Sequence, residues 1–170
     1  MKNFLILATF LICGCHLFTS KSEATIYSAT TDQKIGTITF TDTMNGLLID
    51  VDLHNLPTGE HGFHIHENPS CEHSIDKNGK IQHASQAGGH YDPQKTGNHL
   101  GPDGGGHKGD LPFLTASETG IIKTQFHIKN LSSKEIKNRS VMIHAGGDNY
   151  QDVPLPLGGG GARIACGIIR

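Results

Sequence analysis

The chain has little of what marks the commoner function classes. Lys and Arg number 14 against 16 Asp and Glu, a formal charge of −2, so it carries no basic footprint for a phosphate backbone and nucleic acid is excluded as a partner. No CxxC pair occurs among its four cysteines, which argues against a thiolate metal site of that spacing. Helical periodicity is almost absent and is confined to residues 132–137. The one continuous apolar run lies in the first 18 residues, MKNFLILATFLICGCHLF, and is too short to cross a bilayer. Hydrophobic residues make up 35% of the 170, ordinary to low for a globular chain, and the length suits one domain of roughly 150 residues.

That first run, with its single basic residue at Lys2, has the form of a secretory leader. Two cleavage readings stand. One removes residues 1–24 at the small-residue site Ser22-Glu23-Ala24, beginning the mature chain directly on the strand-like TIYSAT. The other is a bacterial lipoprotein-type junction at Ile12-Cys13-Gly14-Cys15, which removes residues 1–14, leaves Cys15 to carry a lipid and makes residues 15–24 a polar tether; this second reading is preferred. In both, residues 25–170 form the domain. Losing Lys2, Lys21 and Glu23 leaves twelve basic and fifteen acidic side chains, a charge near −3. The protein is expected outside the cytoplasm, periplasmic or extracellular, touching membrane only through a lipid on Cys15. There the remaining cysteines, Cys71 and Cys166, are expected to form one disulfide.

Period-two alternation predicts β-strands. Ile38 and Phe40 alternate with Thr37, Thr39 and Thr41, and Leu47, Ile49, Val51 and Leu53 alternate with Leu48, Asp50, Asp52 and His54. Asn45-Gly46 between them marks a tight hairpin turn and hence antiparallel pairing. Further strands are predicted over 61–67, 113–116, 121–128, 140–144 and 162–169, with a second hairpin turn at Ser117-Glu118-Thr119-Gly120 and a brief helix over 132–137. The fold class is therefore all-β, though strand patterns alone do not specify the topology.

Between Glu67 and Leu111 large apolar residues nearly vanish, and Gly, His, Asp and Asn take their place. A connection this long without its own core is either functional or disordered, and the ligand-type residues within it favour function. Twelve histidines fall at punctuated positions. His64 and His66 stand two apart on a predicted strand, so both imidazoles project from one face while Phe63 and Ile65 enter the core. His144, at the end of another strand, can complete that face as a nitrogen-only set suited to copper or zinc. His90, His99, His107 and Asp110 offer three nitrogens and a carboxylate, the complement of a closed structural zinc site. HxH alone is a weak signal; the conjunction of all seven groups is strong. A second irregular segment, 145–161, ends in PLPLGGGGAR, whose glycines allow close backbone approach at an active-site rim.

Four blocks, GEHGFHIHENPSCE, AGGHYDPQKTGNHLGPDGGGHKGDLP, VMIHAGGDNY and PLGGGGARIACGII, carry a resemblance to copper/zinc superoxide dismutase, specifically its exported bacterial branch, over residues 26–169. The resemblance implies a Greek-key β-sandwich or flattened barrel of immunoglobulin-like architecture, with a long metal-binding loop and a second active-site loop. It implies one copper and one zinc per subunit. Residue by residue it assigns His64, His66, His90 and His144 to copper and His90, His99, His107 and Asp110 to zinc, with His90 bridging the two. It makes Asp148 the outer carboxylate that hydrogen-bonds ligands of both metals and Arg163 the cation that holds the substrate anion. It also pairs Cys71 with Cys166. His61 takes only a structural role, and His16, His54, His73, His83 and His127 take none.

The activity implied is oxidoreductase dismutation of superoxide to oxygen and hydrogen peroxide, an antioxidant role, with Arg163 and His90 the catalytic residues. A negative protein acting on an anion needs local positive potential, and Lys77, Lys80 and Arg163 are the candidates to supply it. A homodimer is a further partner expectation. Two readings of other classes compete: a module that stores or delivers copper or zinc without turnover, and a zinc-stapled structural domain. Retention of His90, Arg163 and every copper position argues against the first. The second leaves His64, His66 and His144 without purpose.

Overall fold

The structure, a computed structural model, describes residues 20–102 and 104–170; Cys13, Cys15, His16 and the rest of residues 1–19 lie outside the described residues. The alternating segments fold as expected into strands, running β1 (Lys21–Ser28), β2 (Lys34–Thr43), β3 (Gly46–Leu53), β4 (Gly59–His61), β5 (Phe63–His66), β6 (Ser74–Ile75), β7 (Ile81–Gln82), β8 (Leu114–Ala116), β9 (Ile122–Ile128), the one-turn helix α1 (Ser133–Ile136), β10 (Ser140–His144) and β11 (Arg163–Ile168). Seven of them make one antiparallel sheet in the order β5-β10-β11-β1-β2-β3-β9, and β4-β8 and β6-β7 form two short ribbons.

A flat sheet of seven strands would hold its edges about 29 Å apart at the usual strand spacing. Here Phe63 on edge strand β5 and Phe126 on edge strand β9 meet edge to face, their ring centroids 6.2 Å apart. The sheet has therefore curled back on itself around a single core that includes Ile26, Phe40, Ile49, Phe63 and Val141. The segments leading into the two edges, β4 ahead of β5 and β8 ahead of β9, pair with each other through His61↔Leu114 and Gly59↔Ala116. The chain crosses from β3 to the far edge at β5, and from β9 back to β10 beside β5, which is the Greek-key crossing. The expected all-β flattened Greek-key barrel is the fold.

Local chemistry explains where elements depart from the pattern. The β2–β3 hairpin forms, but its two loop residues are Met44 and Asn45; Thr43 pairs with Gly46, which takes φ 108° where a side chain would press on the Ile128 carbonyl. The segment predicted as one strand over 61–67 breaks at Gly62, where the chain changes from the β4-β8 ribbon to the main sheet. Gly62 exchanges its backbone bonds with the second loop and β10 instead, donating to Gly146 O and accepting from His144 N. The turn at 117–120 is present, with Ile121 N donating to Ser117 Oγ at 3.1 Å, yet the strands it joins do not pair with each other as a hairpin: β8 pairs with β4 and β9 with β3. α1 begins at the cap Ser132, whose side chain accepts from Glu135 N.

β5 and β10 are buried along their whole length. Phe63, Ile65, Val141 and Ile143 fill the barrel, so by alternation His64, His66, Met142 and His144 project from the opposite face. The segment 67–110 covers that face. Its base is pinned by the expected disulfide, Cys71–Cys166, which joins residues 95 apart in sequence and packs with Met142, Ala84 and Ala87 in a second apolar cluster.

β1 starts well before Thr25. Lys21 pairs with Thr41 and Ala24 with Ile38, Ala24 is fully buried, and Glu23 exchanges both backbone hydrogen bonds with Arg170. At about 1 kcal/mol per ladder bond, a chain beginning at Thr25 is expected to lose roughly 3 kcal/mol and about 10 °C of Tm relative to one beginning at Ser20; equal melting temperatures in calorimetry would show that the first half of β1 is dispensable. Replacing Cys71 and Cys166 together by Ser frees a long loop in the unfolded chain and is expected to cost roughly 4 kcal/mol, measurable as a lower denaturant midpoint that reductant reproduces in the parent protein.

Candidate metal centre

Three parts of the chain aim ligand-type side chains at one place. β5 supplies His64 and His66 from its outer face, the end of β10 supplies His144, and the covering segment returns through His90, which bridges to His66, and later through Asp110, which bridges to His64. His64, His66, His90 and His144 each offer a ligand atom within 4.8 Å of the others, and a second such group holds His64, His90, His99 and Asp110. All are buried. His107 stands at the edge of the second group, with Nδ1 3.4 Å from Asp110 Oδ1.

Hydrogen bonds on the outer nitrogens decide which atoms remain free. His64 Nε2 donates to Asp148 Oδ2 at 2.7 Å and His99 Nε2 donates to Asp148 Oδ1 at 2.8 Å. His66 Nδ1 donates to Gly88 O at 3.0 Å and His144 Nδ1 to Gly161 O at 3.2 Å. In a neutral imidazole the nitrogen opposite the donor keeps its lone pair, so His64 Nδ1, His66 Nε2 and His144 Nε2 are acceptors aimed inward, while His99 Nδ1 faces Asp110 Oδ2 at 3.0 Å. Of the nine buried side-chain polar atoms without a hydrogen bond among the described residues, seven lie here: these three, His90 Nε2, His107 Nδ1, and the facing pair His99 Nδ1 and Asp110 Oδ2. Buried lone pairs without donors call for a cation. His64, though near both groups, has only Nδ1 free and so can serve one of them.

Two donor sets follow. His64 Nδ1, His66 Nε2, His90 Nε2 and His144 Nε2 make an all-imidazole set, which suits copper. His90 Nδ1, His99 Nδ1, His107 Nδ1 and Asp110 make the three-nitrogen, one-carboxylate set of a tetrahedral zinc site. His90 faces the first with Nε2 and the second with Nδ1, the latter 2.9 Å from Asp110 Oδ1.

Electrostatics prepares both sets. Burial holds His66 well below its ordinary pKa, pushes His90 down to about 4 and His144 down to about 3, so these imidazoles keep their lone pairs at neutral pH. Burial also lowers His64, outweighing its bond to Asp148. His99 differs: burial opposes its charge, but Asp110 and Asp148 on either side override this and push it up to about 9. Burial likewise opposes charge on Asp110 and Asp148, yet their histidine partners hold both well below the usual carboxylate range. Two buried carboxylates flanking one imidazole make the second set a pocket for positive charge.

Arg163, at the start of β11 and opposite His144, sends its guanidinium to Ala84 O at 2.7 Å and Gly88 O at 2.6 Å. Gly88 O is also the acceptor for His66 Nδ1, so one carbonyl ties the arginine to a member of the nitrogen set. Lys80 and His83 line the same cavity as Arg163, and Lys77 is not among its lining residues. The glycines of the second loop do approach the site: a Cβ on Gly158 would lie 1.9 Å from Asp148 Oδ1 and 2.8 Å from His99 Nε2.

Several contributors left no readable signal in the sequence. The carbonyls of Ala84, Gly88 and Gly161 act through backbone atoms that every residue has. Asp152 accepts from His99 N at 2.9 Å and from Leu157 N at 3.2 Å; only its position in a Gly- and Pro-rich loop could have flagged it. His61 is structural, its ring nitrogens 2.8 Å from His144 O and 2.8 Å from Pro57 O. His54, His73 and His127 are exposed and His83 half-buried, and none belongs to either converging group.

Asp148→Asn removes one acceptor, so His64 and His99 can no longer both donate to it, and the displaced partner turns a lone pair outward. The expected result is metal affinity lower by about tenfold or more, read by chelator competition; unchanged affinity would mean that Asp148 does not orient these rings.

Residues 34–169 match the family model of copper/zinc superoxide dismutase. The superoxide dismutase [Cu-Zn] of Brucella abortus is 46% identical over 176 positions, covering 100% of both chains, and that of Escherichia coli K12 is 46% identical over 174 positions with the same coverage. Among solved structures, the Cu/Zn superoxide dismutase from Brucella abortus superposes with a TM-score of 0.84 at 47% identity, over 89% of this chain and 100% of that one. The monomeric copper, zinc superoxide dismutase from Salmonella enterica gives a TM-score of 0.78 at 46% identity with the same coverage. A family match over most of the chain and relatives aligned along its whole length leave one conclusion: the chain belongs to the copper/zinc superoxide dismutase family.

Proposed function

We propose that this protein dismutes superoxide, with His64, His66, His90 and His144 as the copper ligands and His90, His99, His107 and Asp110 as the zinc ligands. The observation that carries the assignment is the convergence of seven buried ligand atoms without hydrogen bonds on two donor sets that share His90 through opposite ring nitrogens. In the reaction two superoxide anions and two protons become one oxygen and one hydrogen peroxide, one anion losing an electron and the other gaining it. Bound copper supplies that one-electron exchange, and redox-inert zinc orders the loop that presents His90.

The chain's own groups do the rest. Arg163 spends two of its N–H donors on Ala84 and Gly88, which fixes the guanidinium, and its remaining donors and charge bind the small anion beside the nitrogen set. His90 Nε2, the ring atom facing that set, holds a proton and passes it to the reduced anion, while Nδ1 stays with the zinc ligands. Asp148 keeps His64 and His99 in the tautomers that point lone pairs inward. Lys80, in the cavity with Arg163, adds positive potential on the approach. Nothing in this arrangement favours a carrier, for which a fixed guanidinium beside the open nitrogens would be superfluous.

The disulfide suits an exported protein. The pairing of Lys21–Ala24 with β2 supports processing that leaves residues 20–24 in place, as cleavage before Cys15 does. The proposal therefore includes a lipid on Cys15 and a tether of residues 15–19. It does not include a homodimer.

Protein loaded with copper and zinc is expected to consume superoxide, His144→Ala to lose that activity by at least about a hundredfold, and Arg163→Ala by roughly tenfold to a hundredfold. Arg163→Lys is expected to keep part of the rate, and rising ionic strength to slow the parent more than Arg163→Ala. Stoichiometric copper and zinc binding with no superoxide consumption would overturn the assignment in favour of a metal carrier.

A further inference from the structure

The carboxylate of Glu135, on the one-turn helix α1, receives Tyr91 Oη at 3.2 Å and Lys108 Nζ, both on the same oxygen, Oε1. Tyr91 follows His90 and Lys108 follows His107 directly in sequence. One side chain from outside the covering segment thus holds the neighbours of two ligands that stand seventeen positions apart. Arg139, past the end of α1, places its guanidinium 3.6 Å above the Tyr91 ring centroid, a cation–π contact. It also donates to Glu135 O at 3.2 Å and to Glu67 O at 2.9 Å, beside His66.

A clamp holds only if its own base is fixed, and α1 is fixed to the barrel. Ser133 is fully buried; its N and Oγ donate to the two oxygens of Asp42 on β2, at 2.8 Å and 2.6 Å. Ile136 is fully buried in the core. The path therefore runs from barrel to α1 to Glu135 to Tyr91 and Lys108, and so to His90 and His107. On the other flank of the segment, Asp148 and Asp152 already hold His99. Among the described residues, His107 is otherwise held by the contact of its ring with Asp110 and by backbone bonds, its N–H to Asn98 O at 3.0 Å and its carbonyl from Asp110 N at 3.2 Å, which leave Lys108 as the side-chain tie to the helix.

We infer that Glu135 is a positioning residue for the zinc side of the site: through Tyr91 and Lys108 it preorganises His90 and His107 against the barrel, and its loss weakens zinc retention more than copper retention, since only one of the four copper-set residues, His90, depends on it. The inference rests on the ligand assignment proposed above. Preorganisation acts on affinity because a loop already held in its bound conformation gives up less conformational freedom when the ion arrives. Three of the four copper-set residues do not depend on Glu135: His64, His66 and His144 stand on β5 and β10 and donate their outer hydrogen bonds to Asp148, Gly88 O and Gly161 O, so only the shared His90 links that set to the clamp.

The test uses the full protein loaded with both metals. Zinc and copper release to a chelator are followed separately in Glu135→Gln, in Tyr91→Phe and in Lys134→Ala, an exposed change on the same helix, and cobalt(II) placed at the zinc site reports ligand geometry through its visible spectrum. Glu135→Gln is expected to raise zinc loss by roughly tenfold, to alter the cobalt spectrum and to leave copper release within about twofold; Tyr91→Phe is expected to show part of the same effect and Lys134→Ala none. Zinc release unchanged in Glu135→Gln, or zinc and copper loosened equally, would overturn the clamp; if that variant fails to fold, Tyr91→Phe without selective zinc loss does so. His107→Ala separates this from the ligand assignment: zinc held as tightly without His107 would sink the assignment itself, whatever Glu135 does.

Discussion

Six imidazole nitrogens and one carboxylate oxygen are buried around two adjacent points without a hydrogen bond to satisfy them. Leaving a polar atom in that condition costs about 1–3 kcal/mol each, a total comparable to the whole stability of a typical domain. A bound cation offsets that cost. The same cost is what turns metal affinity into folding energy, since the ions satisfy in the folded chain atoms that water satisfies in the unfolded one. The rest of the molecule can be understood as the means of keeping those atoms together, dry and correctly protonated.

The barrel supplies the rigid half. Its inner face is filled by aliphatic side chains and the Phe63–Phe126 contact, and because alternate residues of a strand face opposite ways, the same packing that buries Phe63 and Ile65 turns His64 and His66 outward. The covering segment is the soft half. It has too few apolar residues to order itself by packing, so discrete ties hold it: the disulfide to β11, Asp148 and Asp152 from the second loop, the carbonyls of Ala84 and Gly88 to Arg163, and Glu135 from α1. Apart from the disulfide, each tie ends on one of the converging side chains, on a residue next to one, or on Arg163. Stability and site geometry therefore share the same bonds.

Much of this was legible in advance because chemistry recurs at fixed intervals. The His64/His66 spacing declares a shared strand face, and the His90, His99, His107 and Asp110 series declares a donor set whatever path the chain takes between its members. Leu47 to Leu53 declares a half-buried strand. What escaped notice did so for physical reasons. Gly62 looks like any strand glycine until the chain must leave one sheet for another there. Ser117–Gly120 is a good turn, but no local rule says that β8 will pair with β4. Glu135 and Asp152 are ordinary acidic residues until distant segments arrive beside them.

The sequence by itself determined the class of strands, the inventory of ligands and the availability of one disulfide, because alternation, side-chain chemistry and cysteine number are properties of neighbours and of counts. Tertiary structure alone decided which nitrogen of each histidine faces inward, which carbonyls hold Arg163 and where the domain's first strand begins. Those depend on hydrogen bonds between residues tens of positions apart, such as His64 to Asp148 and Lys21 to Thr41, and such bonds exist only once the sheet has curled and its outer face has been covered.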